Sequence, residues 1–441
     1  MDDYGWLATR DAARRARYRE SLEFYEGRQW LGRPLPGERR LTANYARTLV
    51  RKVASYLFPE PVTFAVAPED AGAAARERSR RAEAALAEVY AANDLAAVDF
   101  DAAIDAAVLG DGAFKVVWGA AERRPVVTAV DVQALFAWWD ADDPRRVTRV
   151  VQRGVLPAEE ARARYGVAAR EAAATVVEDW RPERFTLTVA GEVVRDEANP
   201  FGRLPYVIFA NAPRPHDFWG ESDLADLLDV QRELNRRLSV VARILELSGN
   251  PIAVLENVEG AEGIQVGPGA LWELPEGAKA YLLDLLAGGG VGLHLQYIDL
   301  LYRVLHDLAE TPRTAFGDAG RDLSGAALEV EIQPLIQKVK RKRRVWDSVF
   351  ARRNALILDL LARFGGLDIG DSRRTTAIWG AILPDDREAL VRQEIQLVDH
   401  ALHSRRTALA VLGADDPEHE LRLIDEETAE EASAGRTGRR A

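Results

Sequence analysis

The sequence predicts an α+β fold that is predominantly helical, and three observations support it. Apolar residues recur every three or four positions from 224 to 245, as on one face of a helix. Between residues 113 and 209 the apolar residues alternate with a period of two, which is typical of β-strands. From residue 324 to about 364 a helical pattern returns over some 40 residues.

Composition limits the classes of protein to which the chain can belong. Its 441 residues are 47% hydrophobic and 29% charged, which is typical of a globular protein of about three domains. The chain has no Cys, which excludes disulfides, thiolate nucleophiles, zinc fingers and iron–sulfur clusters. It is charged from residue 2 and has no long apolar stretch, so we expect no secretory signal, synthesis in a cytoplasm and no membrane association.

The N-terminal region is predicted to be helical up to a tight turn. The predicted elements are, in chain order, a helix at 11–24, a helix at 42–57, a strand at 62–66, a helical region at 73–109 and a turn at 110–112. Thr42 or Asn44 can cap the second helix, and Pro59 ends it. The region 73–109 is either one long helix or two helices joined near Asn93.

After the turn the pattern predicts a β-rich region. Its predicted strands are 113–118, 126–130, 147–151, 175–180 and 185–189. A short helix at 158–165, which follows Pro157, interrupts them. A turn at 199–205 leads into a buried strand at 206–211.

The second half of the chain is predicted to be built around three helices. The first begins at Ser222-Asp223, runs for about 25 residues and carries an apolar stripe of Leu224, Leu227, Gln231, Leu234, Leu238, Val241 and Leu245. Strands at 252–255 and 269–274, a helix at 296–310, a polar loop at 311–323 and a long helix at 324–364 follow. Pro334 is predicted to kink the long helix. The segment 385–431 is predicted to be helical, and 432–441 disordered.

The sequence predicts neither a catalytic site nor a cofactor. None of the six His has the spacing of a metal-ligand motif, and the usual nucleotide-binding and hydrolase motifs are absent. Adjacent acidic pairs such as Asp142-Asp143 precede Pro or open helices, where the helix dipole favours them. We therefore predict no metal, no cofactor and no enzyme activity.

Charge is unevenly distributed along the chain, whose net charge is −12. Residues 221–330 carry −10, residues 331–364 carry +6 and residues 385–431 carry −9. The basic block contains a run within the long helix, formed by Lys338, Lys340, Arg341, Lys342, Arg343 and Arg344. Two interpretations stay open: a solvated face or inter-subunit ion pairs, and contacts with DNA phosphates.

Five local motifs, in this order along the chain, resemble phage portal proteins of the SPP1-like family. They are Tyr25-Glu26-Gly27 to Asn44 with Tyr56–Val62, Gly110–Phe114, Asn199–Pro205, Gly220–Leu224, and Ser324–Leu328 with the Pro334, Leu335 and Lys338 that follow. The motifs span about 320 residues, and the order of predicted elements extends the resemblance over nearly the whole chain.

The resemblance implies a portal fold and a ring, usually of twelve subunits, at one capsid vertex. Double-stranded DNA would be packaged and ejected through this ring. The implied domains are a wing (1–221), a first stem helix (222–248), a clip (249–294), a second stem helix (295–310), a tunnel loop (311–323), a long helix returning into the wing (324–384) and a crown (385–431). The leucine-rich stripe would contact neighbouring subunits, because a stripe of this width needs a partner.

The resemblance also implies partners and a location. The partners would be the terminase large subunit at the clip, scaffold and major capsid protein at the wing, and a head-tail adaptor; the location would be the virion, after assembly in the host cytoplasm. We further expect the tunnel loop to line the DNA channel through Arg313, Thr314, Asp318, Arg321 and Asp322, the alternative being a solvated loop. A competing function is a DNA-binding or nucleolytic packaging factor that uses the 338–344 run.

Overall fold

The computed structural model describes residues 4–249, 253–257, 276–282, 290–317, 325–383, 387–414, 417 and 419–426. The chain divides into two compact units, residues 1–380 and residues 381–441. The second unit contains helices α10 (Arg387–Asp399) and α11 (Arg405–Val411), in agreement with the predicted helical character of this segment. Within it, the His403 ring contacts the buried Glu394 carboxylate at 2.8 Å.

The first unit contains nine helices within the described ranges. They are α1 (Trp6–Arg10), α2 (Ala12–Tyr25), α3 (Tyr45–Leu57), α4 (Ala73–Ala92), α5 (Leu95–Leu109), α6 (Ala158–Tyr165), α7 (Leu228–Gly249), α8 (Gly290–Leu308) and α9 (Gly325–Phe364). The Asn44 side chain caps α3 by accepting from the Arg47 backbone N–H, so Asn44 is the cap and not Thr42. The left-handed backbone of Asp94 separates α4 from α5, which shows that the 73–109 region is two helices.

Twelve strands form four sheets in the described ranges. The strands are β1 (Thr63–Val66), β2 (Asp111–Gly119), β3 (Arg124–Ala129), β4 (Leu135–Trp139), β5 (Val147–Pro157), β6 (Ala173–Trp180), β7 (Arg184–Val189), β8 (Glu192–Ala198), β9 (Tyr206–Ala210), β10 (Ala253–Glu256), β11 (Lys279–Leu282) and β12 (Thr375–Ile378). All pairs are antiparallel, in the orders β4-β5-β6-β7-β8, β3-β2-β9, β1-β12 and β10-β11.

Several predicted strand assignments are corrected by the structure. The turn predicted at 110–112 is restricted to Gly110, because Asp111 and Gly112 already pair with β9. Strands β4, β8, β11 and β12 were not predicted, whereas the strand expected at 269–274 lies outside the described residues. The charged sequence of β8 suits an edge strand, where one row of backbone groups faces water and side-chain charge discourages further pairing.

Three helices begin three or more residues away from the predicted start. Helix α3 begins at Tyr45, three residues after the predicted start. Helix α7 begins at Leu228 and not at Ser222, because residues 225–227 form a 3₁₀ turn. Helix α8 begins at Gly290, six residues before the predicted start. Helix α9 spans Gly325–Phe364 as predicted and continues past Pro334.

Helices α7 and α8 form an antiparallel pair that begins inside the main core. Strands β10 and β11 pair between the end of α7 and the start of α8. Near the sheets, Leu234 of α7 and Leu301 and Leu305 of α8 are buried in the same core as Tyr18 and Phe24 of α2. Near β10 and β11 the pair is more exposed, as at Leu245 and Leu293. One end of the helix pair is therefore fixed in the sheet domain.

Candidate functional site

The segment that leads into α7 passes very close to the start of β2. A Cβ atom on Gly220 would lie 2.4 Å from the carbonyl oxygen of Gly110, and Gly110 itself has a left-handed backbone with a φ of 100°. Only glycines fit this approach without displacing backbone. The Ser222 hydroxyl donates to the Val108 carbonyl at 2.6 Å, and the Asp223 backbone N–H donates to the Ala107 carbonyl at 2.8 Å. We call this packing of 107–111 against 220–223 the glycine contact.

Asp111 ties the glycine contact to α2. Its carboxylate accepts from the Gly220 backbone N–H at 2.8 Å and from the Tyr18 hydroxyl at 2.5 Å. Burial raises the pKa of Asp111 to about 6, although both hydrogen bonds and the nearby Arg14 oppose this rise. Arg14 of α2 lies 3.8 Å from the ring centroid of Trp219, so a cation–π contact also joins α2 to the residue before Gly220.

Asp223 forms a buried charged cluster with helix α9. The Lys342 ammonium lies 2.9 Å and 3.0 Å from the two Asp223 carboxylate oxygens, and the Lys338 ammonium lies 3.7 Å from one of them. Asn211, at the end of β9, donates to Asp223 at 2.9 Å and accepts from Lys342 at 2.6 Å. We call these four residues the charged junction.

The charged junction contains two cations for one anion. Burial alone would raise the pKa of Asp223, but Lys342 and Lys338 outweigh burial and hold it well below its usual range. Burial lowers the pKa of Lys342, with Lys338 acting in the same direction against the attraction of Asp223. The cluster therefore depends on the single negative charge of Asp223.

A second junction fixes α7 with neutral amides. Asn235 accepts from the Ala43 backbone N–H at 3.0 Å and donates to Gln29 at 2.7 Å. Gln29 in turn donates to Asn44 at 2.9 Å, and Gln231 donates to the Ala43 carbonyl at 2.7 Å. We call Gln29, Asn44, Gln231 and Asn235 the amide junction. It explains why the polar Gln231 interrupts an otherwise apolar stripe.

The structure places four of the six predicted basic residues in contacts within the chain. Lys338 and Lys342 belong to the charged junction, Arg341 pairs with Glu310, and Arg343 donates to the Gly380 carbonyl at 2.9 Å. Arg343 also lies 4.7 Å from the Trp379 ring centroid. Lys340 and Arg344 are exposed and pair with no acidic group in the described ranges. DNA or inter-subunit contact by these six residues stays a prediction.

The predicted stripe is divided between two environments. Leu224 and Leu227 precede α7 and are buried with Leu234 in the chain's own core. Leu238 packs against that core, and Val241 is also buried. Leu245 is 54% exposed. The expectation of one continuous helical stripe is therefore wrong for its first two leucines, because the glycine contact holds residues 220–223 out of the helix.

The first part of the predicted tunnel loop folds back on α8. Arg313 lies 3.3 Å from Asp299 and 5.0 Å from the ring centroid of Tyr302. The buried His306 ring contacts the Thr311 carbonyl at 2.6 Å, and Phe316 lies 5.2 Å from it. Thr314 is half-buried on the short 3₁₀ turn 313–316. Asp318, Arg321 and Asp322 lie outside the described residues, so channel lining stays a prediction.

Sequence reasoning did not anticipate either junction. Two of the five motifs, around Gly110 and Gly220, meet in the glycine contact, and the motif that ends at Asn44 contacts α7 in the amide junction. The one local signal is Gln231 on the apolar stripe, because a polar side chain at a buried position needs a polar partner. The sequence does not predict that Lys342 is buried, because a charged side chain in a basic run is normally solvated.

The arrangement defines an α+β protein in which a helix pair projects from a sheet domain. A sheet domain holds the base of a helix pair through two polar junctions, and in the described ranges no three His, Asp or Glu side chains converge on a possible metal site. None of the helices described combines the length and hydropathy that a bilayer-spanning segment needs.

The chain belongs to the phage portal protein family, SPP1 Gp6-like, whose family model matches residues 5–274 and 294–434. This match confirms the resemblance seen in the sequence motifs, and it gives the chain the general role of a phage portal protein, a structural component of the virion. A comparison with curated proteins gave no match.

Proposed function

We propose that this portal protein forms a ring, of about twelve copies as is usual in its family, at one vertex of the capsid. Double-stranded DNA is packaged through the ring by the terminase motor and later ejected through it. The terminase large subunit binds at the 249–294 clip, scaffold and major capsid protein bind at the 1–221 wing, and a head-tail adaptor attaches to the assembled ring. Assembly takes place in the host cytoplasm.

The exposed apolar face of the helix pair is the observation that carries this proposal. Leu293 is 70% exposed and Leu300 is 48% exposed, and Leu245, Leu295 and Leu308 are exposed as well. A monomer rarely exposes this many large apolar side chains on one helix. A ring buries the same helix face of every copy against a different face of its neighbour, because its contacts are heterologous and close by rotation.

The charge distribution supports a conduit that lets DNA slide. Every phosphate neutralised by the wall adds a salt-dependent attraction that has to be broken at each step. Residues 221–330, which include the stem, clip and tunnel segments, carry −10. Arg313, Thr314, Asp318, Arg321 and Asp322 line the narrowest part of the channel in this proposal.

The mass of the assembled protein and its shape in negative stain test the proposal. We expect annular particles, either from the protein alone or after addition of its scaffold. A monomer or dimer that persists at high concentration with scaffold present would contradict the ring. Single-residue changes on α8 then show whether the apolar face forms the contact.

A salt series distinguishes the conduit from a DNA-binding packaging factor. The conduit binds a DNA duplex weakly at all salt concentrations. Tight binding at low salt with a steep salt dependence, abolished by changing Lys340 and Arg344, would favour the packaging factor. Because Lys338, Arg341, Lys342 and Arg343 are engaged within the chain, the structure favours the conduit.

A further inference from the structure

A cleft of about 420 Å³ lies between the 199–205 turn and the last turns of α9. Phe201, Leu356 and Leu360 form apolar walls, and the guanidinium groups of Arg203, Arg363 and Arg373 line it together with the carboxylate of Asp359. Neither junction of α7 contributes a residue to this cleft.

The cleft has more positive charge than its own carboxylate balances. The Arg373 Nε donates to one Asp359 oxygen at 2.6 Å, and Arg203 pairs with the other oxygen. Arg363 pairs with no carboxylate in the described part of the chain and lies 5.4 Å from the Phe364 ring centroid. The residues that line the cleft therefore sum to +2, on a chain of net charge −12, and a further carboxylate that acts on Arg373, that of Glu69, lies outside the lining.

A further arginine extends the positive region along the same face of α9. Arg352 lies two helical turns before Asp359 and donates to the Ile208 carbonyl at 3.1 Å. Burial lowers the pKa of its guanidinium, since no acidic partner offsets the loss of water. Over about three turns of α9, from Arg352 to Arg363, this face of the helix therefore carries more positive than negative charge.

The chemistry and shape of the cleft favour a carboxylate ligand. Guanidinium groups bind carboxylates in planar, two-point geometry, and apolar walls accept the carbon chain of a side chain. The phosphates of a DNA duplex lie on the outside of a rod and are met by protruding side chains. Arginines that line a concave cleft beside apolar walls suit the carboxylates of a peptide better.

We propose that this cleft binds an acidic peptide segment of a partner protein. Its carboxylates pair with Arg363 and with the N–H groups of Arg203 and Arg373 that Asp359 leaves unused. An adjoining side chain of the segment packs against Phe201. This proposal does not depend on ring formation or on DNA transit.

Binding of a fluorescent hexaglutamate peptide to the full-length protein, followed by fluorescence anisotropy, tests the proposal. Arg363→Gln is expected to weaken binding about fivefold, as the loss of one partly exposed ion pair does. Asp359→Asn is expected to tighten binding about threefold, because it removes the competing carboxylate. Tighter binding cannot result from a loss of folded protein, so this variant distinguishes a site from a structural effect.

Matched controls separate the cleft from general attraction. Arg374→Gln makes the same charge change at an exposed neighbour outside the cleft and is expected to leave the affinity unchanged. Hexaglutamine is expected not to bind. No binding of hexaglutamate, or equal losses in Arg363→Gln and Arg374→Gln, would overturn the proposal.

Two competition arms identify the source of the ligand. A short DNA duplex that binds more tightly than hexaglutamate and depends on Arg363 would overturn the proposal in favour of nucleic acid. A peptide of this chain's own acidic residues 413–431 that binds more tightly than hexaglutamate would overturn the choice of a different protein as partner. Weak binding of both, with hexaglutamate bound through Arg363, supports it.

Discussion

The charged junction fixes the segment that leads into α7, and the amide junction fixes α7 itself, with opposite chemistry. The charged junction buries Asp223 between two lysines of α9, whereas the amide junction joins Asn235 and Gln231 to the 29–44 segment without any charge. Burying ions is costly unless each has its partner, whereas satisfied amides cost little to bury. The two junctions should therefore differ in how they respond to mutation and to pH.

Asp223→Ala should give the largest effect. It leaves the buried Lys342 and the half-buried Lys338 without an anion, and such a loss costs about 3–5 kcal/mol of unfolding free energy. Denaturant unfolding measures it. Asp226→Ala, three residues away and exposed, should be near neutral, and adding Lys342→Met to Asp223→Ala should recover part of the loss. Equal effects of the two Asp changes would remove the distinction between the junctions.

The unfolding free energy is expected to depend on pH through the glycine contact and not through the amide junction. Asp111 has a pKa of about 6 in the folded chain against 3.8 for an ordinary Asp, so the folded state binds more protons between these values. The protonated Asp111 carboxyl group therefore stabilises the folded state by about 3 kcal/mol below about pH 4. This stabilisation is lost as the pH rises through 6.

Asp111→Asn should flatten the unfolding free energy between pH 4 and 6 relative to wild type. Asn235→Ala should leave the slope in this range unchanged, because amides do not titrate. A wild-type slope that survives Asp111→Asn would assign the titration to another group.

Gly220→Ala tests the close approach in the glycine contact. The new Cβ would meet the Gly110 carbonyl oxygen at 2.4 Å, and displacing backbone in this way costs about 1–3 kcal/mol. Gly154→Ala is the matched control, since a Cβ there has open space. Thermal unfolding should separate the two variants, and similar melting temperatures would show that the 220–223 segment can shift freely.

Asn235→Ala should cost less than Asp223→Ala. It leaves the Gln29 carbonyl oxygen and the Ala43 backbone N–H without partners, each at about 1 kcal/mol or more. Denaturant unfolding gives the value, with Gln337→Ala, an exposed amide of α9 outside both junctions, as the control. A loss as large as that of Asp223→Ala would show that charge is not what distinguishes the junctions.

The smallest effect on folding is expected far from both junctions. Leu300→Gln on the exposed face of α8 should change the unfolding free energy of the monomer by about 0.5 kcal/mol or less. It should nevertheless reduce the fraction of protein in oligomers, as measured by light scattering, because the side chain is buried only between copies. Gln296→Asn, on the same helix and also exposed, serves as the control.

The sequence predicted the long helices and most strands, because their periodicity reports directly which side chains are buried. It missed β4, β8, β11 and β12, whose short or charged sequences become strands only through their partners. It also placed the start of α7 six residues too early. Local periodicity continues through residues 224–227, whereas the distant Gly110 and Ala107 hold 220–223 in a different conformation.

The amino-acid sequence alone shows that cysteine chemistry is absent, that charge is segregated along the chain, and that the motifs follow the order of the portal family. Which of the charges are solvated depends on tertiary contacts. Lys342 and Arg344 are two residues apart in one basic run, yet Lys342 is buried against Asp223 and Arg344 is exposed. Burial of a charge depends on a partner more than 100 residues away, and no local pattern carries that information.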